Sequence, residues 1–135
     1  MIKGASDKNK VFAYFEELSA IPRGSGNTDA VSAYCMAFAE AHGLEASRDS
    51  FNNVVIKKPA SAGYEGHDTV ILQGHLDMVC EKTADSTHDF LRDGIKLVSD
   101  GEMLRADGTT LGADDGIAVA MTLAVLDDDS LPHPP

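Results

Sequence analysis

A chain of 135 residues with a formal charge of −11 is poorly suited to nucleic acid or anionic membranes, since both are gripped by clustered Lys and Arg. With 43% hydrophobic residues, the length supports one domain burying roughly two-thirds of its unfolded surface. The acidity has two readings of equal weight: a solvated face, or carboxylates gathered for divalent cations.

In chain order, Asp7 is expected to cap a first helix whose Val11, Phe12, Phe15 and Leu18 fall on one face. Pro22-Arg23-Gly24-Ser25-Gly26 ends it with a loop. Asn27 or Thr28 then caps a second helix that turns Val31, Tyr34, Cys35, Phe38 and Ala41 to the core and stops near Gly43. Neither helix carries visible chemistry; packing explains both. From Leu44 the period changes, and residues 44–49 and 53–57 read as two strands joined by Ser50-Phe51-Asn52. Pro59 to Gly66 is a loop. Thr69–Gly74 is a short β-branched, apolar run of the kind that forms a central strand. Residues 83–89 look irregular and polar, and residues 95–99 and 103–106 flank Asp100-Gly101, a hairpin turn pair. Asp115–Leu126 is an apolar helix, expected to lie buried against a sheet. The chain closes on Leu131-Pro132-His133-Pro134-Pro135, so soon after that helix that a piece of a longer protein is expected.

The two cysteines, Cys35 and Cys80, lack framework spacing and read as reduced core thiols. The first residues hold no apolar signal region, and no stretch approaches the roughly 18–20 apolar residues that span a bilayer. A soluble, cytoplasmic protein is the expectation.

Chemistry concentrates at two places. In Gly74-His75-Leu76-Asp77-Met78-Val79, an imidazole and a carboxylate stand at i and i+2 just past an apolar strand, and such positions share one face. Neutral imidazole is a common zinc ligand, and an adjacent carboxylate fixes its tautomer. A lone strand-end histidine is more often structural. The second place is Gly112-Ala113-Asp114-Asp115-Gly116. One aspartate is explained cheaply as a helix N-cap, but not the bracketing glycines or the Asp107-Gly108-Thr109-Thr110 approach. A carboxylate projecting from such a loop can bridge two cations, whereas the spaced ligands of an EF-hand are absent. Spacing alone leaves the site undecided.

Residues 74–79 together with Ala106-Asp107-Gly108-Thr109-Thr110-Leu111-Gly112-Ala113-Asp114-Asp115-Gly116 resemble the aminoacyl-histidine dipeptidases, a branch of the zinc aminopeptidase and aminoacylase superfamily. Ile21-Pro22-Arg23-Gly24-Ser25-Gly26-Asn27 and His88-Asp89-Phe90 resemble the same branch, so the likeness runs from the first helix to about Leu126. The resemblance implies that His75 binds one metal, Asp114 bridges two, and Asp77 is the catalytic aspartate behind the imidazole. Asp115 departs from the branch, which usually has Asn there. The family's glutamate pair and remaining ligands are expected beyond Leu126; Glu81, Glu102 and His133 qualify only by residue type, and His67 and His88 read as surface or structural.

The expected fold is a three-layer α/β sandwich with a mixed, largely parallel sheet, zinc-exopeptidase-like and incomplete. Residues 1–135 would form the N-terminal portion of a metallopeptidase catalytic domain, lacking its remainder and lid domain. The implied activity is hydrolysis of Xaa-His and related dipeptides using two divalent metals, zinc first and manganese or cobalt as alternatives, with little activity in this chain alone. Rival readings are a tripeptidase or N-acyl amino-acid deacylase of the same superfamily, and a non-enzymatic acidic cation-binding module. Small peptides are the expected partners, with no nucleic acid or membrane, and exposed apolar surface at a cut edge would favour homo-oligomers.

Overall fold

A computed structural model describes residues 9–135. Among them run helix α1 (Lys10–Ser19), helix α2 (Asp29–Ala41), strands β1 (Glu45–Arg48), β2 (Val54–Lys57), β3 (Leu97–Ser99) and β4 (Leu104–Ala106), and helix α3 (Ala113–Leu126). The result is a small mixed α/β unit.

Helix α1 forms where its periodicity places it, but its cap is Asn9, whose side chain accepts from the Val11 N–H at 2.9 Å. The expected cap, Asp7, lies outside the described residues. Phe15 and Leu18 of α1 are buried with Val31 and Phe38 of α2 and Val119, Ala120 and Leu123 of α3. In α2 the buried stripe runs through Val31, Cys35, Phe38 and Ala39, spaced i, i+4, i+7 and i+8. Ala41 steps off that stripe and is exposed, contrary to expectation. Thr28 occupies the N-cap position, yet its hydroxyl accepts from Asn52 Nδ2 at 3.1 Å instead of capping the helix.

The strands form two separate antiparallel pairs, β1–β2 and β3–β4. The expected largely parallel sheet is not formed among the described residues. Each pair is joined by a short loop, and short connections permit only antiparallel pairing. The anticipated central strand, residues 69–74, joins no ladder, and Ile71 is 84% exposed. Among the described residues, parallel pairing is confined to an isolated bridge between Gly24 and Met78. In the second hairpin the loop takes in residues 100–103 and not a two-residue turn: Asp100 Oδ1 accepts from the backbone N–H of Glu102 and Met103 at 3.0 and 2.8 Å.

Helix α3 packs on α1 rather than on a sheet. Val119, Ala120 and Leu123 face the core, while Met121 is 54% exposed on the opposite side. Polar clips fix its C-terminal end. Asp127 accepts from Lys10 Nζ at 2.7 Å and meets His42 Nε2 at 3.0 Å, tying the start of α1 and the end of α2 to α3. Lys58 Nζ donates to the carbonyls of Leu126 and Asp128 at 2.8 and 3.2 Å, satisfying acceptors a helix end leaves open. Cys35 is buried and Cys80 exposed, both free. The core position expected for Cys80 is not realised: Met78 is buried, but Val79 and Cys80 after it are exposed.

Candidate metal centre

Two backbone zippers bring the distant motifs together. The Met78 N–H donates to Arg23 O at 3.0 Å and the Ser25 N–H to Met78 O at 3.3 Å, fastening the loop after α1 alongside the His75–Asp77 segment. On the far side, the Thr110 N–H donates to Glu81 O at 2.8 Å and the Thr83 N–H to Gly108 O at 3.0 Å. The Thr110 hydroxyl adds a 2.7 Å bond to Val79 O. The approach to α3 therefore runs antiparallel to residues 79–83, and the two acidic motifs must meet.

They meet at His75. Its Nε2 stands 3.0 Å from Asp114 Oδ1, across 39 residues of chain. Its Nδ1 faces Asp77, 3.0 Å from the carbonyl oxygen and 3.1 Å from Oδ1. Asp77 is held in turn by the Ser25 hydroxyl, which donates to Oδ2 at 2.5 Å. Imidazole, supporting carboxylate and distal carboxylate form a chain with its outer end open, the Asp114 side chain being 96% exposed.

The first turn of α3 is built to aim that end. Gly112 takes the N-cap position at φ 70°, a left-handed conformation that glycine adopts without a Cβ penalty. Asp114 and Asp115 are non-helical, and the peptide bond between them is cis. Asp114 reaches His75 instead of capping the helix, so the simple N-cap explanation fails here. Asp115 Oδ2 turns towards Gly74, 3.0 Å from where a Cβ on that glycine would stand.

The charges follow from these contacts. The Asp114 carboxylate, then Asp77, raise the pKa of His75 above its ordinary value. The Ser25 hydroxyl bond, followed by His75, holds Asp77 below the usual carboxylate range. Asp77 thus stays an acceptor for a proton on Nδ1, and Nε2 is the ring nitrogen turned towards Asp114.

A metal fits part of this site. Two ligands on tetrahedral zinc, each about 2.0–2.1 Å from the ion, stand about 3.4 Å apart, so His75 Nε2 and Asp114 Oδ1 need open only slightly. An imidazole nitrogen and a carboxylate oxygen are suitable zinc donors. They make two ligands. Among the described residues no group of three or more His, Cys, Asp or Glu is arranged to hold one ion. None of the other histidines or glutamates named from the sequence joins this pair among the described residues: His133 Nδ1 is 2.8 Å from Pro134 O, His88 meets Phe90 edge-on with its buried Nε2 unpartnered, and His67 lies against Tyr64. Glu81 and Glu102 contribute backbone groups to the zipper and the hairpin loop.

Sequence reasoning passed over two residues at this site. Ser25 orients Asp77, and Arg23, 2% exposed, donates from Nη1 to Leu76 O at 3.1 Å and from Nη2 to Gly112 O at 2.5 Å. The available signal was an arginine flanked by Pro22 and Gly24 in a loop sharing the dipeptidase likeness.

The chain is similar to known proteins. The chain is 44% identical over 121 residues to the cytosol non-specific dipeptidase of Escherichia coli K12, covering 90% of this chain and 25% of that protein. It superposes on the crystal structure of an aminoacylhistidine dipeptidase from Vibrio alginolyticus with a TM-score of 0.89 and 42% identity, over 93% of this chain and 26% of the other. This chain is a homologue of these dipeptidases. It spans about a quarter of their length. A tripeptidase from Staphylococcus aureus shares the fold, with a TM-score of 0.71 at 22% identity over 93% of this chain and 34% of that structure. No family model matches the chain.

Proposed function

We propose that the protein carrying this chain is a metal-dependent dipeptidase acting on Xaa-His and related dipeptides, with His75 and Asp114 as metal ligands and Asp77 as the catalytic aspartate. The observation that carries this reading is the 3.0 Å meeting of His75 Nε2 and Asp114 Oδ1, backed by Asp77 on the other ring nitrogen, in a homologue of two named dipeptidases. Zinc suits an imidazole and carboxylate donor set. Bound there, a divalent metal supplies a Lewis acid and a water of lowered pKa.

The residues of this chain have distinct tasks. Asp77 keeps the Nδ1 proton of His75 in place and so presents the Nε2 lone pair outward. Ser25 holds the Asp77 carboxylate by Oδ2 and leaves Oδ1 to the ring. Asp114, with one oxygen at His75 and the other open, is the group able to join two cations. Residues 1–135 form part of a catalytic domain, and the glutamate base and remaining ligands come from outside this stretch. The three-layer sandwich belongs to that larger domain, whose further strands would lie beside residues 69–74. Among the described residues no helix is long and apolar enough to cross a membrane, and we place the protein in the cytoplasm with its Escherichia coli relative.

Mutagenesis of the intact polypeptide tests the reading. His75→Ala and Asp114→Ala should each lower kcat/KM for an Xaa-His dipeptide by about 10³-fold or more, the loss of some 4 kcal/mol of transition-state stabilisation. Asp77→Ala should weaken metal binding by about 10–100-fold. Turnover by His75→Ala within tenfold of the parent would overturn the assignment.

A further inference from the structure

The buried arginine is the feature this reading leaves unused. We infer that Arg23 is a positioning residue of the metal centre, its guanidinium setting the separation at which His75 and Asp114 face one another. The inference rests on the reading of those two residues as ligands. Arg23 bonds Leu76 O, between His75 and Asp77, with one terminal nitrogen, and Gly112 O, two residues before Asp114, with the other. One rigid planar group therefore spans both ligand-bearing segments. Its own backbone is fixed to the first of them through the Met78 N–H, so it cannot drift with the second.

Stability alone is a poor reason for this residue. The guanidinium is removed from water, donates only to backbone carbonyls, and leaves Nε without a hydrogen-bond partner among the described residues. A buried cation bears a large desolvation cost, and apolar replacements of similar volume often stabilise such positions. The fork instead gives direction: five donors in fixed geometry hold two carbonyls at a set angle, which the flexible point charge of lysine cannot do. The surroundings are shaped to admit it. A Cβ on Gly112 or on Gly116 would lie 2.6 Å from Nη2, so both glycines of the acidic motif leave the room the guanidinium fills.

Cobalt(II) alone, titrated into the intact apo-protein and followed by its visible absorption, separates positioning from folding. Arg23→Met and Arg23→Lys should keep the far-ultraviolet circular dichroism of the parent. Each should bind cobalt about 10–100-fold more weakly, with altered band positions. Millimolar guanidinium ion should restore the parent spectrum to Arg23→Ala, reporting the planar group itself. Parent affinity and spectrum in either folded variant would overturn the inference. Should Arg23→Met fail to fold, Arg23→Lys and the rescue of Arg23→Ala decide on the same criteria; guanidinium rescuing neither fold nor spectrum counts against it. His75→Ala is the marker for the underlying reading: unchanged cobalt binding there removes the metal site itself, whereas cobalt lost in His75→Ala but retained in the Arg23 variants removes only the role of Arg23.

Discussion

Alanine at three glycines measures the crowding around the Arg23 guanidinium. Gly26 has φ 80° with nothing within 4 Å of an added Cβ, so alanine there meets only the left-handed penalty of about 1–2 kcal/mol. Gly112 has φ 70°, and its Cβ would stand 2.6 Å from Arg23 Nη2 and 2.7 Å from Met78 Sδ. Alanine at 112 adds overpacking of about 1–3 kcal/mol to the same backbone penalty, about 2–5 kcal/mol in all. Gly116 lies in the helical part of α3 with the same 2.6 Å approach to Nη2. Here overpacking is offset by about 1 kcal/mol of helix propensity, leaving roughly 0–2 kcal/mol. Urea unfolding followed by circular dichroism resolves these differences, since a slope of about 1–3 kcal/mol per molar turns the gap between 112 and 26 into a midpoint shift near 1 M. Equal midpoints for Gly112→Ala and Gly26→Ala would refute the packing argument.

Two further outcomes follow from the polar clips and the thiols. Asp127, bonded by Lys10, Tyr14 and His42, has its pKa lowered, so its stabilising effect is complete above the unfolded value of about 3.9 and is lost as pH falls through the folded value. Thermal midpoints should therefore drop more steeply below about pH 4 in the parent than in Asp127→Asn; parallel curves would contradict this. Burial pushes the Cys35 thiol up to about 11; desolvation raises Cys80 as well, but its side chain is exposed to reagent. Alkylation near neutral pH should label Cys80 and spare Cys35 until the protein unfolds, as peptide mass spectrometry would show.

The helices were legible because their information is local. Phe15 and Leu18, and Val31, Cys35 and Phe38, repeat at helical spacing and are the residues that become buried. Helix ends were less so: Asn9 makes the cap bond to Val11, and Ala39 replaces Ala41 in the core, since two residues of offset turn a side chain by about 200°. The run 69–74 was read as a central strand from its composition, but a ladder needs a neighbour, and composition carries no record of one. His75 and Asp114 were singled out as residues, yet nothing in their spacing required them to meet. Their convergence depends on the Val79–Thr83 and Gly108–Thr110 zipper, a pairing between two irregular segments. Arg23 escaped notice for a related reason: its acceptors are backbone carbonyls, and carbonyls leave no trace in a sequence.

The bare run from Thr69 to Gln73 has a consequence for how this protein behaves in a tube. It is uncharged, free of proline and rich in residues that favour extended stacking, and Ile71 offers its flank almost wholly to water. Asp68 alone stands guard at its start. Left uncovered, such an edge is a seat for a second copy of the same run.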